Sequence, residues 1–223
     1  MKTALITGTS QGLGKDIAQY FLQNNFKVIG LSRTVGNIEH KNFIHIPIDL
    51  SCHDQLAKLF NNFPYQVDLV IHNAARFKQS TLENLSIEEI CNILNVNIKS
   101  PVILTKLLLP YISKNSHIIF INSVAGLYNL DNQSVYCASK HALTSFAKII
   151  GKELRKDKIK VFSIHPGGIN TPLWNESNPY PLGDHNKALS KTEIVKIIDL
   201  ILNLNDNTYV SNIEVFPTIE WHG

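Results

Sequence analysis

Two textures of hydrophobic residues alternate along the chain. Short unbroken apolar runs at 2–7, 27–31, 43–48, 68–73, 117–123, 160–165 and 212–216 read as strands buried on both faces. Between them, segments 13–24, 51–63, 86–111, 134–155 and 190–203 repeat their apolar residues at helical spacing and predict helices. Ser51 and Ser86 stand where N-caps belong, with Asp54, Glu88 and Glu89 in the first turns, where acidic groups suit the helix dipole. Strands alternating with helices predict an α/β fold: a Rossmann-like, doubly wound parallel sheet with helices on both faces. No linker or repeat breaks the pattern, so residues 1–223 read as a single domain.

Composition narrows the function. Apolar residues make up 44% of the chain, enough for a sizeable core, and the net charge of +3 comes without any block of Lys and Arg. That mild excess does not argue for nucleic acid. Cys52, Cys91 and Cys137 are odd in number and scattered, with neither metal spacing nor a disulfide framework. A reducing, cytoplasmic setting without a bound metal is expected. The first residues lack a signal-peptide layout, and no apolar run approaches the roughly 20 residues that span a bilayer.

The chemistry gathers late in the chain. Ser123 closes a predicted strand, and in open α/β sheets ligands bind at the strands' carboxyl ends. Tyr136 and Lys140 lie four residues apart, on one face of a predicted helix. A free phenol titrates near about 10, too high for easy proton exchange at neutral pH, and a neighbouring ammonium should lower it. A hydroxyl, a phenol and an ammonium so gathered would polarise a carbonyl and hand it a proton.

The first predicted strand runs into Thr7-Gly8-Thr9-Ser10-Gln11-Gly12-Leu13-Gly14, which opens a helix. Such a turn lets backbone approach a pyrophosphate and aims free N–H groups at it. At the end of the second strand stand Leu31, Ser32, Arg33 and Thr34, with no carboxylate to hold a ribose hydroxyl. Arg33 suits a 2′-phosphate, so NADP(H) is expected over NAD(H); a solvated loop charge is the alternative. Asp49, followed by Leu50, either accepts from an adenine amino group or caps the next helix.

In this order, Thr7-Gly8 to Gly14, Asp49, His72-Asn73-Ala74-Ala75, Asn97, Ser123, Tyr136 with Lys140, and Pro166-Gly167 resemble the short-chain dehydrogenase/reductase family across nearly the whole chain. The resemblance implies one domain with seven parallel strands and a catalytic tetrad of Asn97, Ser123, Tyr136 and Lys140. Tyr136 would be the acid in reduction and the base in reverse, Ser123 would hold the carbonyl, and Lys140 would bind the nicotinamide ribose and lower the Tyr136 pKa. Asn97 would hold a water linking Lys140 to solvent; a local kink is its other reading. Gly8, Ser10, Gln11, Gly12, Leu13, Gly14, Ser32, Arg33, Asp49, Leu50, Asn73, Ala74, Ala75, Tyr136, Lys140, Pro166, Gly167, Ile169 and Thr171 would contact the cofactor.

Three departures stand out. His72-Asn73-Ala74-Ala75 replaces the family's Asn-Asn-Ala-Gly, and Ala75 fits if its φ stays negative. Gln11 stands where NADP-using members often carry a second basic residue, leaving the cofactor choice to Arg33. The segment over the substrate, about 172–190, is short, as is the tail after Phe216. Its Pro172, Leu173, Trp174, Pro179, Tyr180 and Pro181 read as a lid that closes an apolar pocket with Leu127 and Tyr128. The expected activity is NADPH-dependent, reversible reduction of a small ketone or aldehyde. A non-catalytic NADP sensor is the alternative, and an epimerase a further one that lacks room for a larger C-terminal domain. In relatives the helices corresponding to 86–111 and 134–155 pair between subunits, so a homodimer or homotetramer is expected.

Overall fold

The computed structural model describes residues 1–176, 178–180 and 183–220. Its sheet has seven parallel strands: β1 (Thr3–Thr7), β2 (Lys27–Ser32), β3 (Phe43–Pro47), β4 (Val67–His72), β5 (Ile112–Ile121), β6 (Lys160–Pro166) and β7 (Asn212–Val215). The spatial order is β3-β2-β1-β4-β5-β6-β7. The chain winds outward from β1, then crosses back to lay β4 on the other side of β1. At that reversal the carboxyl ends of β1 and β4 diverge, and a crevice opens between the loops that leave them.

Helices α1 (Gly12–Gln23) and α6 (Lys191–Leu202) cover one face of the sheet; α2 (His53–Phe60), α4 (Ser100–Leu108) and α5 (Ser134–Glu153) cover the other. The two-residue period of a strand explains the division. Ala4 and Ile6 pack with Ile17, Phe21, Ile194 and Ile198, while Leu5 between them faces the side of Leu56, Leu104 and Leu143. Ser86 opens α3 (Ile87–Leu94) with a capping box closed by Glu89, and Ser190 opens α6 with one closed by Glu193.

Three expectations needed correction. The helix expected over 86–111 is interrupted: α3 is followed by a π turn at Asn95–Lys99, then α4, then a 3₁₀ turn at Leu109–Tyr111. Pro101 causes the break, because it has no N–H to give Asn97 four residues earlier and its ring crowds that carbonyl. Ser51 does not cap α2: its N–H and hydroxyl both donate to Asp49 Oδ1, at 2.9 and 2.7 Å, and Cys52 takes the cap position. Asp49 therefore braces its own turn and does not cap the helix either. Finally, β5 begins at Ile112, five residues before the expected start at His117, and is accommodated by a register shift between Val67 and Leu69. No helix among the described residues is long and apolar enough to cross a membrane.

Candidate active site

The crevice is a cavity of about 790 Å³ lined from the carboxyl ends of the strands and the loops that follow them. Every residue expected from the sequence to touch cofactor or substrate carbonyl lies on its wall, from Gly8 through Thr171, Asn97 alone excepted.

At one end the glycine turn is anchored across the sheet. Thr7 Oγ1 accepts from the N–H groups of Asn73 and Ala74, at 2.9 and 3.0 Å, and Asn73 Nδ2 donates to Thr7 O at 3.0 Å. A Cβ on Gly14 would run into the Gly8 carbonyl oxygen and Asn73 Nδ2, so only glycine lets α1 start this close to the turn. The turn and the start of α1 both line the cavity, and the first N–H groups of a helix suit a pyrophosphate. Ala75 is absent from the residues with positive φ, so the alanine substitution costs no strain. Ser32 also reaches the cavity wall, but its hydroxyl donates to Thr34 O at 2.7 Å. Arg33 is exposed on the wall, and both Arg33 and Arg76 act on Asp49; with the Ser51 hydroxyl as the largest cause, they hold its carboxyl below the usual range. The sequence reading missed Arg76. Its signal was position: it directly follows the Asn73–Ala75 turn at the end of β4.

Ser123, Tyr136 and Lys140 sit deeper. Ser123 lies just beyond β5, where its Oγ accepts from Ala125 N–H at 3.1 Å. Asn122 Nδ2 donates to Lys140 O and Thr144 Oγ1, at 3.3 and 2.8 Å, and Thr144 Oγ1 donates to Gly126 O. These bonds clamp the Ser123 loop to α5. His165 Nδ1 lies 3.1 Å from Ser123 O and fixes it from the β6 side. Lys140 is 2% exposed; its Nζ donates to Ile121 O at 3.3 Å and lies 5.6 Å from the centre of the Tyr136 ring.

The electrostatics differ from the sequence expectation. Burial pushes the Tyr136 phenol up to about 12, against a smaller opposing effect of the Ser123 hydroxyl. Burial also pushes Lys140 down to about 8. Desolvation disfavours both charged forms and here outweighs the attraction expected between them. The protonated phenol is thus the resting form at neutral pH.

Asn97, 1% exposed, lies behind the cavity. Its Oδ1 accepts from Arg76 N–H at 2.7 Å, and its Nδ2 donates to Arg76 O and Ser139 Oγ, at 2.8 and 3.1 Å. Ser139 in turn donates to Tyr136 O at 2.7 Å. The Asn97 side chain is therefore committed to bracing α5 and the Arg76 loop. The local irregularity that was the other reading of Asn97 is present as the π turn that contains it.

The lid is partly as expected. Pro172, Leu173 and Trp174 line the cavity, and Trp174 Nε1 donates to Ile169 O at 2.9 Å. Phe77, not anticipated, bridges Tyr136 and Trp174 edge-on, with ring centres at 4.8 and 5.3 Å. Tyr180 lies behind Trp174, 5.2 Å between ring centres, and off the wall. Pro179 and Leu127 are also off the wall, and Tyr128 turns outward, its hydroxyl donating to Glu214 at 2.8 Å. Pro181 lies outside the described residues. The tail after β7 supplies Phe216 and Glu220 to the wall. Among the described residues no group of His, Cys, Asp and Glu is placed to hold a metal.

The family model for short chain dehydrogenases matches residues 2–181. The 3-oxoacyl-[acyl-carrier-protein] reductase of Buchnera aphidicola subsp. Schizaphis graminum is 31% identical over 207 residues, covering 88% of this chain and 84% of the relative. Its counterpart from subsp. Baizongia pistaciae is 31% identical over 228 residues, covering 94% and 93%. Among solved structures, 4-hydroxyisoleucine dehydrogenase complexed with NADH superposes with a TM-score of 0.87 at 26% identity, covering 97% of this chain and 98% of that one. Serine dehydrogenase complexed with NADP+ shares the fold, with a TM-score of 0.86 at 22% identity over 99% and 96% of the two chains.

Proposed function

Because this chain belongs to the short-chain dehydrogenase family and is an oxidoreductase of that kind, we propose that it interconverts a small ketone or aldehyde and the corresponding alcohol, with NADP(H) preferred over NAD(H). The observation that carries the reading is the convergence of Ser123, Tyr136 and Lys140 on the same cavity as the glycine turn. When bound, the cofactor supplies or accepts the hydride.

The chain's own residues do the rest. Ser123 holds the carbonyl oxygen as charge grows on it. Tyr136, protonated at neutral pH, gives that oxygen its proton. Lys140, buried beneath it, favours the phenolate left behind and holds the nicotinamide ribose. Gly8 to Gly14 with Asn73 would cradle the pyrophosphate, and Ile169 and Thr171 would hold the carboxamide and its neighbouring phosphate. Pro172, Leu173, Trp174 and Phe77 exclude water from above. Arg33 and Arg76, both on the cavity wall and both acting on the charge of Asp49, support a 2′-phosphate, which they would hold by charge-assisted bonds. The solved relatives include an NADH and an NADP+ complex and so favour neither cofactor. Exposed Ile87, Leu94 and Ile149 on α3 and α5 support pairing of those helices with a second copy.

The test is oxidation of NADPH and NADH against aldehydes, ketones, diketones and 3-oxo esters. Turnover of at least one class, faster with NADPH, is expected. Tight NADPH binding without any turnover would overturn the enzyme reading and leave a sensor; a preference for NADH would overturn the cofactor assignment. Sedimentation showing only monomer at micromolar concentration would refute the oligomer.

A further inference from the structure

The cavity is charged unevenly. The acidic and basic side chains on its wall are Arg33, Asp49, Arg76, Asp131, Lys140 and Glu220. Arg33 and Arg76 act on Asp49 and so gather at the adenosine end. Lys140 is held beneath Tyr136 by Ile121 O. The remaining charged side chains on the wall are carboxylates: Asp131, on the loop joining Ser123 and Tyr136, and Glu220, on the tail after β7.

Glu220 is held in place. Both its oxygens accept from Gly168 N–H, at 3.1 and 3.0 Å, and Oε1 accepts from the Tyr180 hydroxyl. A Cβ on Gly167 or Gly168 would collide with this carboxylate, so the two glycines admit it to the turn at the end of β6, beside β5, the strand that leads to Ser123. It is half-buried and, among the described residues, has no cationic partner: the one ion pair there joins Lys191 to Asp16. A carboxylate offers about four acceptor sites, and two donors do not fill them. Pinning the tail needs an acceptor oxygen but no charge, and a charge withdrawn from water without a counter-ion is costly.

We infer that Glu220 receives a protonated amine of the substrate, which makes the substrate an amino alcohol and its product the matching amino ketone or aldehyde. This deepens the carbonyl–alcohol reading and rests on it. The amine keeps its proton throughout, and the electrons and proton exchanged are those of the carbonyl reaction alone.

Three alcohols of near-equal size separate the possibilities: 1-amino-2-propanol, cationic; 2-butanol, uncharged; and lactate, anionic. Their NADP+-linked oxidation is expected to rank in that order by kcat/KM, with the amine ahead of 2-butanol by about tenfold or more. In Glu220→Gln, which keeps the acceptor oxygen for Gly168 and Tyr180, that ratio is expected to fall about tenfold or more. A merely structural role would lower both rates alike and leave the ratio intact. Binding of 1-amino-2-propanol to the NADPH-saturated enzyme, where no hydride can move, is read by calorimetry in both proteins. Glu220-dependent binding without turnover of any alcohol would sustain this inference and sink the carbonyl–alcohol reading. Turnover with an unchanged or absent amine preference would do the reverse. No Glu220-dependent amine binding overturns the inference whatever the turnover.

Discussion

His72 should make the fold sensitive to acid by an amount that its burial sets. The ring is 3% exposed, stacks on Phe120 at 4.7 Å between ring centres, and places Nε2 3.0 Å from Thr105 Oγ1. Burial pushes its pKa from 6.5 down to about 3. Between those values the unfolded chain binds a proton that the folded one refuses, so stability is present above pH 6.5 and lost as pH falls toward 3. At pH 5 the gap of about 1.5 units corresponds to about 2 kcal/mol, a large part of a typical domain's stability. The comparison is between the wild type and His72→Asn, which keeps a polar group for Thr105 but does not titrate. Urea unfolding at pH 7 and pH 5 should show the wild type losing about 2 kcal/mol more than the variant. His117 and His165 are also depressed by burial, but they are common to both proteins and cancel. Equal losses would show that water reaches the ring, and would refute the buried, neutral histidine.

Tyr136→Phe should lower kcat by about 10²- to 10⁴-fold while NADPH affinity, measured by fluorescence titration, changes little. Arg33→Ala and Arg76→Ala should each weaken NADPH about tenfold or more and NADH much less; equal losses would place neither beside a 2′-phosphate. Gly14→Ala forces a methyl into Gly8 O and Asn73 Nδ2, so cofactor binding should be lost, with circular dichroism reporting whether the fold survives. The kcat/KM for carbonyl reduction should fall above about pH 8 as Lys140 loses its charge, and a flat profile to pH 10 would show that this charge is not required.

Much of this was legible because strand burial leaves an unbroken apolar run and a glycine turn has to leave its glycines. The runs at Thr3–Thr7 and Lys160–Pro166 and the cap at Ser86 announce themselves locally. The π turn was half legible. Pro101 was in plain view, but the apolar periodicity continues through it and masks the break. Ser51 misled because cap chemistry and turn chemistry use the same side chains, and Asp49 two residues earlier claimed it first. Glu220 was illegible for another reason: its placement depends on where a distant strand ends, whereas Arg76 carried a local signal in its position after the Asn73–Ala75 turn. The pKa balance between Tyr136 and Lys140 was legible in kind but not in outcome, since spacing gives proximity and only the packed core gives desolvation.

The tether between Asn73 and Thr7 also sets a schedule for the chain's synthesis. A parallel sheet has no hairpins, and here the first strand finds one of its two neighbours more than sixty residues downstream, as the Thr3 N–H to Asp68 bond shows with its separation of 65. The glycine loop emerges from the ribosome among the first residues, yet its ties to Asn73 and Ala74 cannot form until the fourth strand has followed it out. Binding competence therefore arrives late and all at once, and the nascent amino-terminal third waits as a half-built sheet with an open edge.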